Sequence, residues 1–362
     1  MASMRVVACW AVAAILTAAG HALACSDYAE ILAFQPERVI FESNGEAAWL
    51  FTGEGAWVRL TATGEVRRLA SPARTSRVVR DGRALVEVRD GPFRASCEFD
   101  WHRVDRLDLV AGTRMASPRL GGVGTYMAFA ASPGATRAAG RSGPGLLWVD
   151  LESRQVGGRI GVEVEQLTFL DEGHLAVLAD GAVRVVDVDA GAEQGMVGLS
   201  ADDGPRFELV LEDASPSGLT VVERGEHDWT LLRVDFSTTP YVVSRSSWRS
   251  GATLLAVSPG GAHLVVVDQE VLTVLDRATG RSIAEVSGPP FFVAAGLSAD
   301  GTRLAAASRR GSPPPAAAAD EEGVEFWSDE SVPSGPVDLE IFDLAEGRRL
   351  AAWGDGEPSV LR

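Results

Sequence analysis

Residues 253–301 read TLLAVSPGGAHLVVVDQEVLTVLDRATGRSIAEVSGPPFFVAAGLSADG, and this stretch decides the fold. Four short apolar runs, TLLAVS, HLVVVDQ, VLTVLD and RSIAEVS, are rich in β-branched residues and separated by turn residues. Such runs form strands, and connections this short join antiparallel neighbours. The turn DRATG at 276–280 has its own local logic. Asp at the start accepts a hydrogen bond from the backbone two residues on, and Gly supplies the positive φ that closes the turn.

The same grammar recurs outward in both directions. A turn glycine before an apolar run occurs at Gly45, Gly82, Gly134, Gly173, Gly218, Gly261 and Gly301, at intervals of 37, 52, 39, 45, 43 and 40 residues. Each unit then carries an apolar residue followed by Asp: Phe99-Asp100, Val149-Asp150, Val186-Asp187, Val234-Asp235, Leu275-Asp276 and Phe342-Asp343, with Leu60-Thr61 in the first unit. The step from turn glycine to this polar residue is 14 to 18 residues in six units and 42 in the seventh, which takes residues 309–336 as an insertion. A four-stranded unit of about 40 residues repeated seven times is the spacing of propeller blades. The expected fold is therefore all-β, a seven-bladed β-propeller of four-stranded antiparallel blades over residues 38–362, preceded by an N-terminal segment at 25–37. A pair of β-sandwiches would not require one repeat to recur from end to end.

The pattern resembles WD40-like and YVTN-type propellers over residues 38 to about 355. The Ser-Pro-Gly turn at 258–260, the Ser-Ala-Asp-Gly turn at 298–301 and the apolar-Asp-x-x-x-Gly endings carry the resemblance. No unit ends in Trp-Asp and no Gly-His opens a blade. The resemblance implies architecture and no particular activity, because propellers host scaffolds, hydrolases and oxidoreductases alike.

The first residues follow a different pattern. Arg5 precedes the uncharged stretch 6–20, and Ala22-Leu23-Ala24 offers small residues at the −3 and −1 positions of a signal peptidase site. Residues 1–24 thus read as a secretory signal, and the mature protein is expected to be exported, periplasmic or extracellular. Cys25 directly follows, so lipidation at Cys25 competes with simple cleavage, which the swapped order of Ala22 and Leu23 favours. Cys97 is the other mature cysteine; an exported pair suggests a Cys25–Cys97 disulfide, against a buried free thiol at Cys97. No later segment approaches membrane length, so no integral span remains after signal cleavage.

All basic residues are Arg, and the net charge is −17, with acidic residues spread along the chain. Such a surface repels phosphate backbones and argues against a nucleic-acid partner. Catalytic motifs are missing: there is no Gly-x-Ser-x-Gly elbow, no Cys-x-x-Cys-His and no phosphate-binding lysine beside Gly121-Gly122-Val123-Gly124. His174 and His263 occupy equivalent repeat positions, which explains them without a ligand. His227 with Glu223, Glu226 and Asp228 reads as a solvated loop, and Asp187-x-Asp189-x-Gly191 is half of a calcium loop without its remaining ligands. The turn Asp276–Gly280 resembles that of quinoprotein propellers, but only Trp353 fits the tryptophan position that goes with it. No catalytic residue, metal site or cofactor is expected.

A monomeric binding or scaffold module is the favoured function, with a metal-dependent, lactonase-like hydrolase using central-channel ligands as the competing class. Its partner, a protein or a small ligand, is expected on the face that gathers the irregular segments 111–125, 196–205, 224–229 and 309–336. In the last of these, Phe326, Trp327, Asp329 and Glu330 form the candidate partner-binding loop, an aromatic anchor among carboxylates.

Overall fold

The computed structural model describes residues 38–52, 56–70, 75–78, 82–90, 101–117, 119–121, 129–142, 145–199, 206–224, 229–237, 241–248, 252–268, 270–287, 291–309, 336–354 and 360–361. Every regular element among them is a strand. Blade 1 is β1 (Arg38–Phe41), β2 (Ala47–Phe51), β3 (Ala56–Thr61) and β4 (Val66–Ala70). Blade 2 is β5 (Thr75–Val78), β6 (Ala84–Asp90), β7 (Trp101–Asp108) and a broken outer strand, β8 (Arg114–Ala116) with β9 (Leu120–Gly121). Blade 3 is β10 (Phe129–Ala131), β11 (Arg137–Ser142), β12 (Gly145–Asp150) and β13 (Gln155–Ile160), and blade 4 is β14 (Gln166–Phe169), β15 (His174–Ala179), β16 (Ala182–Asp187) and β17 (Ala192–Gly198). Blade 5 is β18 (Arg206–Ser215), β19 (Gly218–Arg224), β20 (Trp229–Asp235) and β21 (Val242–Trp248). Blade 6 is β22 (Thr253–Val257), β23 (His263–Asp268), β24 (Val271–Asp276) and β25 (Ser282–Ser287). Blade 7 is β26 (Phe291–Leu297), β27 (Arg303–Arg309), β28 (Val337–Asp343) and β29 (Arg348–Trp353). The last strand, β30 (Val360–Leu361), returns to pair with β25 on the outer edge of blade 6.

All these pairings are antiparallel, and the first strands neighbour one another around a common centre, from β5 through β10, β14, β18, β22 and β26 to β1. Strands buried on both faces cannot alternate apolar and polar residues; they read as continuous apolar runs. HLAVLA in β15 is one: Leu175 and Val177 pack toward blade 3, while Ala176 and Leu178 pack toward blade 5. The core consequently divides into seven wedges, one per blade interface. The wedge between blades 7 and 1 closes the ring with Leu339 and Ile341 against Val39, Leu50 and Val58. Across the same seam Arg303 donates to the Gly45 carbonyl at 2.6 Å.

The repeat marks fall where the sequence puts them, with corrections. Thr61, Asp150, Asp187, Asp235, Asp276 and Asp343 each end the third strand of a blade. Phe99-Asp100 does not: Ala84 pairs with Asp108, so the equivalent pair in blade 2 is Leu107-Asp108, opening the turn DLVAG that ends at Gly112 with φ 68°. Residues 91–100, Phe99-Asp100 among them, fall between β6 and β7 and lie outside the described residues. Part of the expected blade 2 to blade 3 link at 111–125 is likewise outer strand, β8 and β9. The expected link at 196–205 begins only after Gly198, the end of β17.

Positive φ occurs at Gly45, Gly82, Gly261 and Gly301, but in blade 3 it falls on Ala135 rather than Gly134. Gly173 ends a shorter turn and Gly218 opens β19, both without it. Gly218 is required for space, since a Cβ there would stand 2.3 Å from the Val234 carbonyl oxygen. Two further glycines, Gly157 and Gly158, make a floor for the Trp148 ring, which would meet added Cβ atoms at 2.4 and 2.3 Å.

Among the described turns between third and fourth strands, one carries strain that its counterparts avoid. Arg154, exposed, has φ 60° at the place that Gly191, Gly280 and Gly347 fill in other blades. A left-handed non-glycine residue costs about 1–2 kcal/mol. Arg154→Gly is therefore expected to raise stability by about 1 kcal/mol, and Gly347→Ala to lower it by a similar amount; a pair of thermal melts that shifts in the opposite sense would refute this.

Candidate functional site

The turn aspartates come first, because they are the most regular chemistry in the chain. The Asp187 carboxylate accepts from the backbone N–H groups of Asp189 and Ala190, and Asp108 from those of Val110 and Ala111. The Asp276 carboxylate accepts from the Thr279 hydroxyl and N–H, and Asp235 from the same groups of Ser237. Thr61 does the same work in blade 1, its Oγ1 accepting from Glu65 N–H at 2.9 Å. These bonds hold Asp108, Asp150, Asp187, Asp235 and Asp276 below the ordinary carboxylate pKa, through backbone donors first in the earlier three and hydroxyl donors first in the last two. A depressed folded pKa stabilises the fold above the unfolded value of about 3.9 and loses that contribution as pH falls through the folded value. The melting temperature is thus expected to be flat above about pH 5 and to fall below about pH 3.9. Replacing Asp108, Asp187 and Asp276 by Asn should make the acid fall shallower; an unchanged slope would remove these turns as its cause.

The residues weighed as ligands are held by their neighbours. Asp189, the second carboxylate of the half calcium loop, pairs with Arg137 at 2.5 Å across the interface of blades 3 and 4. His174 Nδ1 lies 2.9 Å from Asp171, and the His263 ring packs where a Cβ on Gly301 would stand 2.6 Å away. Both imidazoles therefore serve the first turns of blades, as their repeat position implies. Trp353 lies under the Arg68 guanidinium, 4.8 Å from the ring centroid, and joins blades 7 and 1. Cys25, Cys97, Glu226, His227, Asp228, Phe326, Trp327, Asp329 and Glu330 lie outside the described residues. Among the described residues, no group of three or more His, Cys, Asp or Glu is placed to hold a metal ion. Nor is any described helix long and apolar enough to cross a membrane.

Buried acidic centres escaped the sequence reading: one in blade 1, one in blade 2, and Asp338 with Glu340 on β28, where Arg349 binds Glu340 at 2.6 Å. Glu42, 5% exposed, accepts from Trp49 Nε1 at 2.9 Å and from Arg59 Nε and Nη2 at 2.6 and 2.8 Å. Its carboxylate lies against Gly82 of blade 2, where a Cβ would meet it at 2.4 Å, and its hydrogen bond raises the Arg59 pKa further. In blade 2 the buried side chains of Glu87 and Asp105 face each other across β6 and β7. Arg103 binds Asp105 through Nε at 2.7 Å and Nη2 at 3.0 Å, Arg89 reaches Glu87 at 3.0 Å, and Arg114 reaches both. Alternation along β6 puts Glu87 on the face of Leu85, which packs toward blade 1. The signal was present in the sequence: Glu87-x-Arg89 and Arg103-x-Asp105 are charges of opposite sign two apart, hence on one strand face. With three guanidiniums directed onto two carboxylates, the centre is an ionic cluster within blade 2, in which both carboxylates are already paired.

A cavity of about 120 Å³ opens at the channel, between the ends of β1, β22 and β26, lined by Ile40, Phe41, Val257, Pro259, Leu297 and Ala299. Small residues at Ala256 and Gly296 make the room, and the lining is mainly apolar.

The connections set the two faces of the ring apart. First-to-second and third-to-fourth turns share one face and are short throughout, the longest being 236–241. Second-to-third connections and blade links leave and rejoin the strands at the other, including those that span 91–100, 122–128, 199–205 and 310–336. The two longest, 91–100 and 310–336, belong to blades 2 and 7, on either side of blade 1.

No protein-family model and no curated protein matches the chain. Among solved structures, the chain is similar to a chain of Kuenenia stuttgartiensis hydrazine synthase, with a TM-score of 0.51 and 13% identity over 75% of this chain and 92% of that one. At this identity the likeness establishes the fold, a seven-bladed β-propeller, and nothing of the activity.

Proposed function

We propose that this protein is a non-enzymatic binding module of the cell envelope or secreted fraction, with its partner site on the face of the long connections. The observation that supports this reading is the asymmetry of the ring: one face keeps every turn short, and the other gathers the longest connections on blades 2 and 7. Loops on a rigid scaffold are where recognition concentrates. The turn aspartates, the buried Glu42, Glu87 and Asp105, and His174 are engaged by neighbouring groups of the protein, which favours binding over catalysis. Export rests on Arg5, the uncharged stretch 6–20 and Ala22-Leu23-Ala24.

The test is affinity capture from envelope extract with the native protein and a variant lacking residues 311–335. A partner identified by mass spectrometry should be lost with the deletion and recovered when the segment is restored. Identical partners at identical salt sensitivity would reduce the insertion to a plain connection. The intact mass of the native protein tests export, and retention of residues 1–24 would overturn it.

A further inference from the structure

The cavity at the ends of β1, β22 and β26 has an apolar floor and an open mouth. Val39, Phe41, Val257 and Leu297, all buried, make the floor. Ser43, Pro259 and Ala299 stand at the mouth, in the first-to-second turns of blades 1, 6 and 7. The mouth therefore opens on the face of the short turns, opposite the long connections on which the partner site was placed.

The walls are set by the backbone and by side chains already in use. Gly296 lets β26 lie close against β1, since a Cβ there would stand 2.9 Å from the Val39 carbonyl oxygen. In blades 6 and 7 a serine closes its own turn: Ser258 Oγ accepts from His263 N–H and Ser298 Oγ from Arg303 N–H, each at 2.9 Å. Blade 1 has Glu42 in that place, the one ionisable residue among those lining the cavity. Its carboxylate is held by Trp49 and Arg59 and rests against Gly82 on the side of blade 2. The lining therefore offers a ligand no uncompensated charge.

Size and polarity select the occupant. A cavity of about 150 Å³ lined by aliphatic and aromatic side chains takes benzene. The volume here is about 120 Å³, with an open mouth through which a larger molecule can protrude. A buried water needs several polar partners, and this floor is apolar. We infer that the cavity binds a small uncharged organic molecule through a compact apolar end of about six carbons, ring-shaped or branched, the rest of the molecule lying at the mouth.

The experiment titrates toluene into the full chain and reads binding by saturation-transfer NMR. Comparison is with a mouth variant (Ser43→Leu with Ala299→Leu) and a control variant (Ala190→Leu with Ala278→Leu), which adds similar bulk to the outer turns of blades 4 and 6. All four positions are exposed, and thermal melts confirm that both variants fold. We expect saturable binding, a loss of affinity of tenfold or more in the mouth variant, and less than a twofold change in the control. Val257→Ala, which widens the floor, should shift preference from toluene toward the longer butylbenzene by at least threefold. Binding that does not saturate below the solubility limit of toluene, or equal loss in both variants, would overturn the proposal. Benzylamine or benzoate bound as tightly as toluene would overturn the uncharged class. Tenfold tighter binding of N-acetylphenylalanine amide than of toluene would overturn the assignment to a small molecule in favour of a protein side chain.

Discussion

Phe342→Ala is expected to lower the stability of the ring by about 3–5 kcal/mol. Phe342 is fully buried and sits immediately before Asp343, at the apolar place of the repeat mark. Its ring packs in the wedge between blades 6 and 7 with Val265, Leu272, Phe292 and Leu304. The other blades fill that place with Leu or Val, so Phe342 is the largest side chain in the series. Deleting it removes apolar contact and leaves a void that flanking strands, tied in ladders on both sides, cannot collapse to fill. Urea unfolding gives the number, with exposed Ala345→Ser as the control expected to stay within about 0.5 kcal/mol. A loss below 1 kcal/mol in Phe342→Ala would show that the wedge is looser than its burial implies.

Asp105→Asn is expected to cost about 2–4 kcal/mol, although it is nearly isosteric. Removing one partner of a buried ion pair typically costs 3–5 kcal/mol, and here the arginines are 30–35% exposed, so solvent relieves part of the loss. The neutral amide leaves Arg89, Arg103 and Arg114 facing Glu87 alone, and its NH2 group brings donors to where only acceptors are wanted. The double variant Asp105→Asn with Arg103→Gln should be less destabilised than the sum of its single changes, because each removes the other's missing partner. Strict additivity in urea unfolding would show that the joint is not a coupled unit.

The fold was legible because its signal is repetition, and each instance had a local mechanism. The third-strand endings at Val149-Asp150, Val186-Asp187, Val234-Asp235 and Leu275-Asp276 follow from turn chemistry alone. Blade 2 was misread at one mark because Phe99-Asp100 satisfies the same two-residue pattern as Leu107-Asp108, and strand pairing selects the second. The full signature DLVAG at 108–112 would have distinguished them in the sequence. Ala135 was missed because turn reading looks for glycine, and a buried alanine took the left-handed position beside Gly134. Burial of the acidic centres at Glu42, Glu87 and Asp105 was not legible, although the paired charges of blade 2 were: strand alternation says which face a residue takes, and a propeller buries both faces. Charge therefore does not report exposure here as it does in a sheet with one wet side.

Blades 1 and 7 are each built from four strands of one continuous segment, so no blade is shared between the two ends of the chain. The closing seam is held by side-chain packing and bonds such as that from Arg303 to Gly45, while the final strand β30 pairs with blade 6. This sets an order of assembly. During synthesis, the faces of blades 2 to 6 can be covered as each successor emerges, but the outer face of blade 1, with Val39, Phe41, Leu50 and Val58, waits for blade 7. A nascent or prematurely terminated chain consequently carries that apolar wall uncovered for the whole interval. Of the described surfaces, it is the one most in need of a chaperone until blade 7, from Phe291 to Trp353, is made.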